Sequence, residues 1–558
     1  MVEAFLKILR RETSGLHEAA FLLGFFALLS QVFALVRDKL LASQFGASAD
    51  LDLYYAAFRI PDFLFVTLGS VVSLSVLIPF IERETLRGLP NVRRFIDSIF
   101  TVFLASIIAI GAIIFIFSPT ITSHLFPGFS VESNSVVSLM TRILLLSPVL
   151  LGISNLFGSL AQANNRFLVY ALSPLLYNFG IILGVIFLYK PFGLYGLAIG
   201  VIFGAMLHLL IQVPTILRLH LAPRITFKPD LALIKEIAYL ALPRTIALSV
   251  SHIAIFVLVS FATLMAEGSI TVFNFAWNLQ SVPLSIFGVS YSLAAFPALS
   301  RLYISGEKDA FLAKFIASAK HIIFWIIPCT ALFIVLRAHI VRIVLGSGEF
   351  DWTDTRLTAA VLALFAFSLV FQAMVLLCIR GLYAMGSTGK PFYITIISGF
   401  SIIAFSFLFW KLFEQIPSFK YFVEAIMKIP DITGSSVATL ALGFSSGSFL
   451  EAVLMWIYFT KIWKGASTLL ARSFVQVVSS SVILGFVSYL SLKFFGQYIT
   501  LDTFWGVFSQ TVISAFLGVT AWIAALTLLK NKELPIIAGT LKERFWRTKP
   551  TSPDTSLV

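Results

Sequence analysis

From residue 18 onward the chain alternates long apolar runs with short polar loops. A helix needs roughly 20 apolar residues to cross the hydrocarbon of a bilayer, and by that measure about 14 spans are expected. They fall near 18–43, 51–81, 95–118, 135–160, 166–188, 193–219, 234–264, 268–300, 313–335, 355–384, 391–412, 434–460, 470–494 and 504–529. The first two break the pattern. One carries Arg37, Asp38 and Lys39, the other Asp52, Arg59 and Asp62. A charge at mid-bilayer costs about 2.5–3.5 kcal/mol on insertion scales, so such residues face protein or water rather than lipid. Ser30 and Arg37 are seven apart, as are Gln31 and Asp38, which puts all four on one helix face. Arg59 and Asp62, three apart, share a face of the next helix. Ser30 to Glu82 therefore predicts two cavity-lining helices with a cationic site between them.

Composition agrees. The 558 residues are 59% hydrophobic and 12% charged, against about 25% charged in soluble domains. The expectation is an all-α polytopic membrane protein. The 57 phenylalanines suit lipid-facing surfaces, and Cys329 and Cys378 lie in apolar runs as structural thiols rather than a disulfide or metal site. No cofactor is expected. The net charge of +13 reads as Lys and Arg in cytoplasmic loops, not as a nucleic-acid partner. The loops at 82–94, 218–235, 301–320 and 461–472 and the tail after Lys530 are basic, whereas those at 44–50, 119–134 and 265–268 contain no Lys or Arg. Both termini are thereby placed in the cytoplasm. Arg337, Arg342 and Arg356 fit less well, partly offset by Glu349, Asp351 and Asp354. Ala47-Ser48-Ala49 looks like a signal cleavage site, but Arg37, Asp38 and Lys39 interrupt the apolar segment before it, so the first span is expected to be retained. Residues 1–17 read as an amphipathic surface helix.

A weak repeat runs through the chain. Asp52 to Pro79 gives a polar-aromatic start, a middle proline, a glycine and a closing proline, and Asn274 to Pro297 repeats that order with Pro283 and Gly288. The offset covers six spans, so two halves of the same orientation are expected: lobes at 18–219 and 234–412, the latter completed by the span near 434–460, around a central cavity. A polar linker is expected around 413–433, two additional helices at 470–529, and a cytoplasmic tail at 530–558 that is disordered from Thr548.

Other motifs carry less. Gly386-Ser-Thr-Gly-Lys390 lacks the spacing of a phosphate loop, and Pro391 follows the lysine. Gly196, Gly200 and Gly204 predict close helix packing. His252, with no second ligand at metal spacing, reads as a buried hydrogen-bonded histidine. Glu451 reads as an interfacial polar patch or a proton carrier. Arg244, after Pro243, faces the same cavity as Arg37 and Arg59 or snorkels to the cytoplasmic surface. Arginine forks suit phosphate oxygens, so a cationic cavity between lobes implies a transporter of something anionic.

The chain resembles the MurJ/MviN lipid II flippases, within the multidrug/oligosaccharidyl-lipid/polysaccharide exporter superfamily. The resemblance is carried by Phe33-Ala-Leu-Val-Arg-Asp38, Phe45-Gly46-Ala47 and Ala57-Phe-Arg-Ile-Pro-Asp62. It continues through Asn164-Asn-Arg-Phe to Pro174 and Asn178, Pro243 with Ser249-Val-Ser251, Phe287-Gly-Val to Phe296-Pro-Ala-Leu-Ser300, Gly348-Glu-Phe, and Gly381-Leu-Tyr to Lys390-Pro391. It implies a flippase of the bacterial cytoplasmic membrane that moves a polyprenyl-pyrophosphate-linked peptidoglycan precursor to the outer leaflet by alternating access; a monomer is expected. It also implies that Arg37 is a cavity arginine, Asp52 an acidic position and Arg59 a basic one. The chain departs from the family at Ser30-Gln31, where Ser-Arg is usual, at Phe65-Val66, where an Arg pair is usual, at Ser70 for an acidic residue and at Asn278 for an arginine. The candidate substrate-binding set is Ser30, Gln31, Arg37, Asp38, Asp52, Arg59, Arg244 and Asn278. The alternatives are an exporter of another lipid-linked oligosaccharide or of an organic cation, and a membrane enzyme of lipid-linked sugar assembly. The enzyme reading needs clustered loop carboxylates, and Glu349, Asp351 and Asp354 stand with few residues around them.

Overall fold

The computed structural model describes residues 16–546 apart from 70, 71 and 73. The surface helix expected at 1–17 and the tail from Thr548 lie outside the described residues, save that 16 and 17 open the first helix. Among the described residues every regular element is helical.

The helices that matter for function are α1 (Leu16–Phe45), α2 (Ala49–Gly69), α3 (Leu74–Leu86), α4 (Leu89–Leu125), α5 (Val131–Leu144), α6 (Leu146–Ala163), α7 (Phe167–Leu183), α8 (Leu194–Leu210), α9 (Leu231–Ala262), α10 (Ser269–Pro283), α11 (Ser290–Ile304), α12 (Lys308–Val335), α13 (Arg337–Val344), α14 (Trp352–Ala384), α15 (Gly389–Gln415), α16 (Pro417–Met427), α17 (Ala438–Ile462), α18 (Ala466–Phe495), α19 (Phe504–Leu528) and α20 (Glu533–Trp546). Twelve helical segments among the described residues are long and apolar enough to cross a membrane. α1 and α2 are not among the twelve. They are the two that the sequence marks as charged, and α2 packs Asp50, Asp52, Arg59 and Asp62 into 21 residues.

Two expectations change. The second span, read as one run over 51–81, divides into α2 and α3, with Pro61 held inside α2. The polar linker at 413–433 contains α16. Pro417 takes its first helical position, where the missing N–H costs nothing. Phe419, Phe422, Val423 and Ile426 follow at helical spacing. Lys428 ends it in the left-handed region, φ 59°.

The helices form two compact units. The first holds the described residues up to Val282 together with Val341–Phe365 and Thr388–Glu451. In it α1 packs on α7, α2 on α5, α6 and α9, and α9 on α15. One apolar cluster in it includes Phe80, Phe95, Ile99, Phe103, Leu156 and Phe157. α7 and α8 meet glycine to glycine: a methyl group on Gly180 would lie 2.2 Å from the Gly204 Cα, and one on Gly184 2.5 Å from the Gly200 Cα. The expected small-residue packing is therefore present. The second unit comprises Pro283–Ile340, Ala366–Ser387 and the described residues from Ala452. There α12 packs on α11 and α18, and α18 on α19. Phe315 stacks on Phe459 with ring centroids 3.9 Å apart.

Candidate functional site

The charged face of α1 is organised by asparagines on other helices. Arg37 donates from Nε and Nη2 to one oxygen of Asp38, at 2.9 and 2.8 Å. Its Nη1 donates to Asn178 on α7 at 3.1 Å. Asn178 in turn donates to the Ser30 hydroxyl at 3.4 Å, so Ser30 and Arg37 share a partner, as their common face predicts. The second oxygen of Asp38, which is almost wholly buried, accepts from Asn278 on α10 at 2.9 Å. One turn earlier on α10, Asn274 accepts a hydrogen bond from Arg59 of α2. Asn274 and Asn278 are four apart and face the same way, so α10 presents a two-amide strip that holds one charged residue from each of the first two helices.

The cluster thus joins Ser30, Arg37, Asp38, Arg59 and Asn278 from the sequence-based set and adds Asn178 and Asn274. Both additions were visible as amides inside apolar runs. Nothing in the spacing pointed them at Arg37 or Arg59, which lie 141 and 215 residues away. Tyr54 and Tyr55 lie within electrostatic reach of Arg37, and the Tyr55 hydroxyl is buried without a hydrogen-bond partner among the described residues. So is Nε of Arg59. Removing one member of a buried charged pair typically costs 3–5 kcal/mol, roughly, because the other charge is stranded. Asp38 is the member with most to lose. Gln31 sits half-buried on α1. Arg244 lies on α9, but its side chain is outside the described residues. His252 is exposed rather than buried, because Val250 occupies the face of α9 that meets Gly399 of α15. Glu451 accepts from Thr395 and Ser398 at 3.1 and 3.0 Å, which joins α15 to α17.

Asp52 stands apart from the cluster. It caps the start of α10 from another helix: its two oxygens accept from the Gly268 N–H at 2.8 Å and from the N–H and hydroxyl of Thr271, each at 2.7 Å. The positive end of a helix favours such a carboxylate. The turn after α1 and the loop before α14 close on the same place. Glu349 donates its N–H to the Ser43 carbonyl at 3.0 Å, and Ala47 donates its N–H to Asp354 at 3.0 Å. Gly348 and Gly268 both have positive φ and touch this turn. A methyl group on Gly348 would lie 2.1 Å from the Ser43 carbonyl oxygen, and one on Gly268 2.2 Å from that of Ala47. Two stretches that carry the family resemblance, 45–47 and 348–350, are neighbours in this seam.

At the opposite end of α2–α3 a different seam binds α3 to α9. Arg83 forks onto Glu236 at 2.7 and 3.1 Å and also reaches Glu84 at 3.1 Å. Arg94 pairs with Asp230 at 3.4 Å, and Asp230 caps α9 by accepting from the Leu233 N–H. One seam is made of backbone, turns and a buried carboxylate, the other of ion pairs, of which Arg83–Glu236 is exposed on both sides while Glu84 is buried.

Comparison with known proteins gives consistent matches. A family model described as lipid II flippase MurJ matches residues 41–509. A lipid II flippase MurJ of Burkholderia cenocepacia is 23% identical over 481 residues, covering 84% of this chain and 89% of that protein. A probable lipid II flippase MurJ of Borreliella burgdorferi is 26% identical over 377 residues, covering 68% and 74%. Among solved structures, a lipid II flippase MurJ in an inward closed conformation matches with a TM-score of 0.74 at 23% identity, over 92% of this chain and all of that one. An inward-facing MATE family transporter of the MOP superfamily matches with a TM-score of 0.62 at 18% identity, over 79% and 95%. These structures share the fold.

Proposed function

Because this chain belongs to the lipid II flippase MurJ family, whose model spans residues 41–509, we propose that it carries lipid II from the inner to the outer leaflet by alternating access. It is a transporter and not an enzyme, a multi-pass protein of the bacterial inner membrane. Its substrate is a lipid-linked glycan. The finer reading is a polyprenyl-pyrophosphate headgroup gripped by arginines. The observation that carries it is the cluster on α1, α2, α7 and α10, where Arg37 and Arg59 are each held by an asparagine amide oxygen. A pyrophosphate cannot be taken to mid-membrane without charged or hydrogen-bonding partners, and a guanidinium offers a fork matched to its oxygens.

In this reading Arg244 supplies a third cation from α9, with Gln31 and Asn278 as neutral donors where the family usually has arginine. Substrate shifts the conformational equilibrium only through contacts that differ between states. The Arg37–Asp38–Asn278 chain is such a contact, since it links the first helix to α10. Opening the Asp52 seam exposes the cluster to one side, and opening the Arg83–Glu236 seam exposes it to the other. Loop charge places the second seam, the two lobes' basic loops and both termini in the cytoplasm, and the chain works as a monomer. The deciding experiment is complementation: expression in cells depleted of their own lipid II flippase should restore growth. Failure of a correctly inserted, abundant protein to do so overturns lipid II as substrate.

A further inference from the structure

Arg142, outside the cluster just described, has a setting that the transport reading does not use. It lies on α5, half-buried, and its Nε donates to the Phe115 carbonyl at 3.0 Å and to the Ser118 hydroxyl at 2.8 Å, both on α4. Ser118 is itself held by Ser138 at 2.9 Å, and the guanidinium lies over the Phe115 ring, 5.1 Å from its centroid. Among the described residues it has no carboxylate partner, and its two terminal nitrogens make no hydrogen bond and are not sealed in. The nearest acid on its own helix is Glu132, ten residues away, or about 15 Å at the helical rise.

The level of Arg142 in the sequence pattern is the second observation. On α4 an apolar run from Val102, interrupted only by Ser106 and Gly111, ends at Phe117, after which come Ser118, Thr120, Thr122, Ser123 and His124. On α5 the first turns carry Glu132, Ser133, Asn134 and Ser135, and Ile143-Leu-Leu-Leu follows directly after Arg142. α4 changes from polar to apolar at the height of this arginine, and α5 does so within the two turns before it. Around it Ile116, Phe117, Leu139 and Leu146 are exposed, as lipid-facing side chains are. A guanidinium at that boundary, with its Nε braced and its far edge free, is set to hold the phosphate of a lipid whose chains lie along those residues.

We propose that Arg142, braced by Ser118 and Phe115, is a binding site for the phosphate of an anionic phospholipid at the membrane boundary of α4 and α5. The orientation proposed above puts it in the outer leaflet, but the site stands whichever way the chain faces. A single basic residue near an anionic surface is worth about fivefold in binding. The test is native mass spectrometry of the detergent-purified chain titrated with phosphatidylglycerol or phosphatidylcholine. The parent should retain one phosphatidylglycerol about fivefold more tightly than Arg142→Gln and show no such difference for phosphatidylcholine. Arg142→Lys, which keeps the charge without the braced fork, and Ser118→Ala, which removes the brace, should each fall between. Equal phosphatidylglycerol retention by parent and Arg142→Gln overturns the site. So does equal retention of both lipids by the parent, which would leave Arg142 only reaching for water. Should Arg142→Gln not accumulate, Ser118→Ala decides alone.

Discussion

Asp38 divides its two oxygens between Arg37 beside it and Asn278 on α10, so neither partner can be changed without leaving one oxygen of a buried carboxylate unpaired. Arg37→Ala should therefore abolish complementation. If headgroup binding is what Arg37 is for, the variant should still insert and accumulate, and Arg37→Lys should also fail, since lysine has no bidentate fork. If Arg37 only packs, Arg37→Ala should instead lower abundance and a paired Arg37→Leu/Asp38→Leu variant should regain transport. Immunoblots of membrane fractions beside growth curves separate the two outcomes. The shared face of Ser30 and Arg37 was legible because helical periodicity is local, and Asn178 does touch both. The amides that organise the cluster were not legible. Asn274 and Asn278 meet α1 and α2 only after more than 200 residues of chain have folded back, and periodicity carries no information about that return. The role of Asp52 was hidden for the same reason. Its residue type signals charge in a membrane, but capping another helix depends on where α10 begins.

Helix α20 shows how one element is fastened by a few polar atoms. Asn531 accepts from the N–H groups of Glu533 and Leu534, and its amide donates to Gln476 of α18. Glu533 lies 3.5 Å from both His321 and Lys320 of α12. The His321 hydrogen bond, with help from the Lys320 charge and against the effect of burial, holds the Glu533 carboxyl below its usual range. A carboxylate lowered in this way stabilises docking fully above its ordinary value, near 4.3, and loses that contribution only as the pH falls through the lower docked-state value. Hydrogen-exchange protection across α20, taken relative to the intrinsic exchange rate at each pH, should therefore be equal at pH 7 and pH 5 and drop near pH 3. Glu533→Gln should already have lost that protection at pH 7. The long apolar elements were read correctly from length and hydropathy. The elements missed or merged were short. α16 hid in a stretch scored as polar, although its Phe419, Phe422, Val423 and Ile426 repeat is helical, and the break between α2 and α3 hid in a run with no polar residue larger than serine or threonine between Asp62 and Glu82.

At the scale of the whole molecule the orientation comes first. If both termini lie inside, as proposed from loop charge, a cysteine placed at Ser130 should react with an impermeant reagent in intact cells and one at Gly306 should not; labelling of Gly306 would invert the topology. The lobes' charged loops, and hence this prediction, were available from sequence because loop charge is a compositional property. The two seams were not, because each is built from stretches far apart in the chain. Their difference in material has a further consequence. The Arg83–Glu236 fork is exposed, with relative side-chain exposures of 36% and 45%, so its attraction is open to screening by dissolved ions. The opposite seam, where Gly348 and Gly268 bring main chain onto main chain and Asp52 is buried, is not. The distance over which exposed charges feel each other shrinks from about 30 Å at 0.01 M ions to about 3 Å at 1 M, and an exposed pair is worth only about 0.2–1 kcal/mol to begin with. Ionic strength then becomes a one-sided control on the resting state. Spin labels on Arg87 and Lys235 should show a broader distance distribution in 1 M salt than in 0.01 M, while labels on Ser48 and Glu349 keep theirs, and equal broadening at both ends would show that the seams do not differ in this way. In the proposed orientation, salt should tilt this carrier toward its cytoplasmic opening by up to about fivefold without touching a single residue of the proposed substrate site.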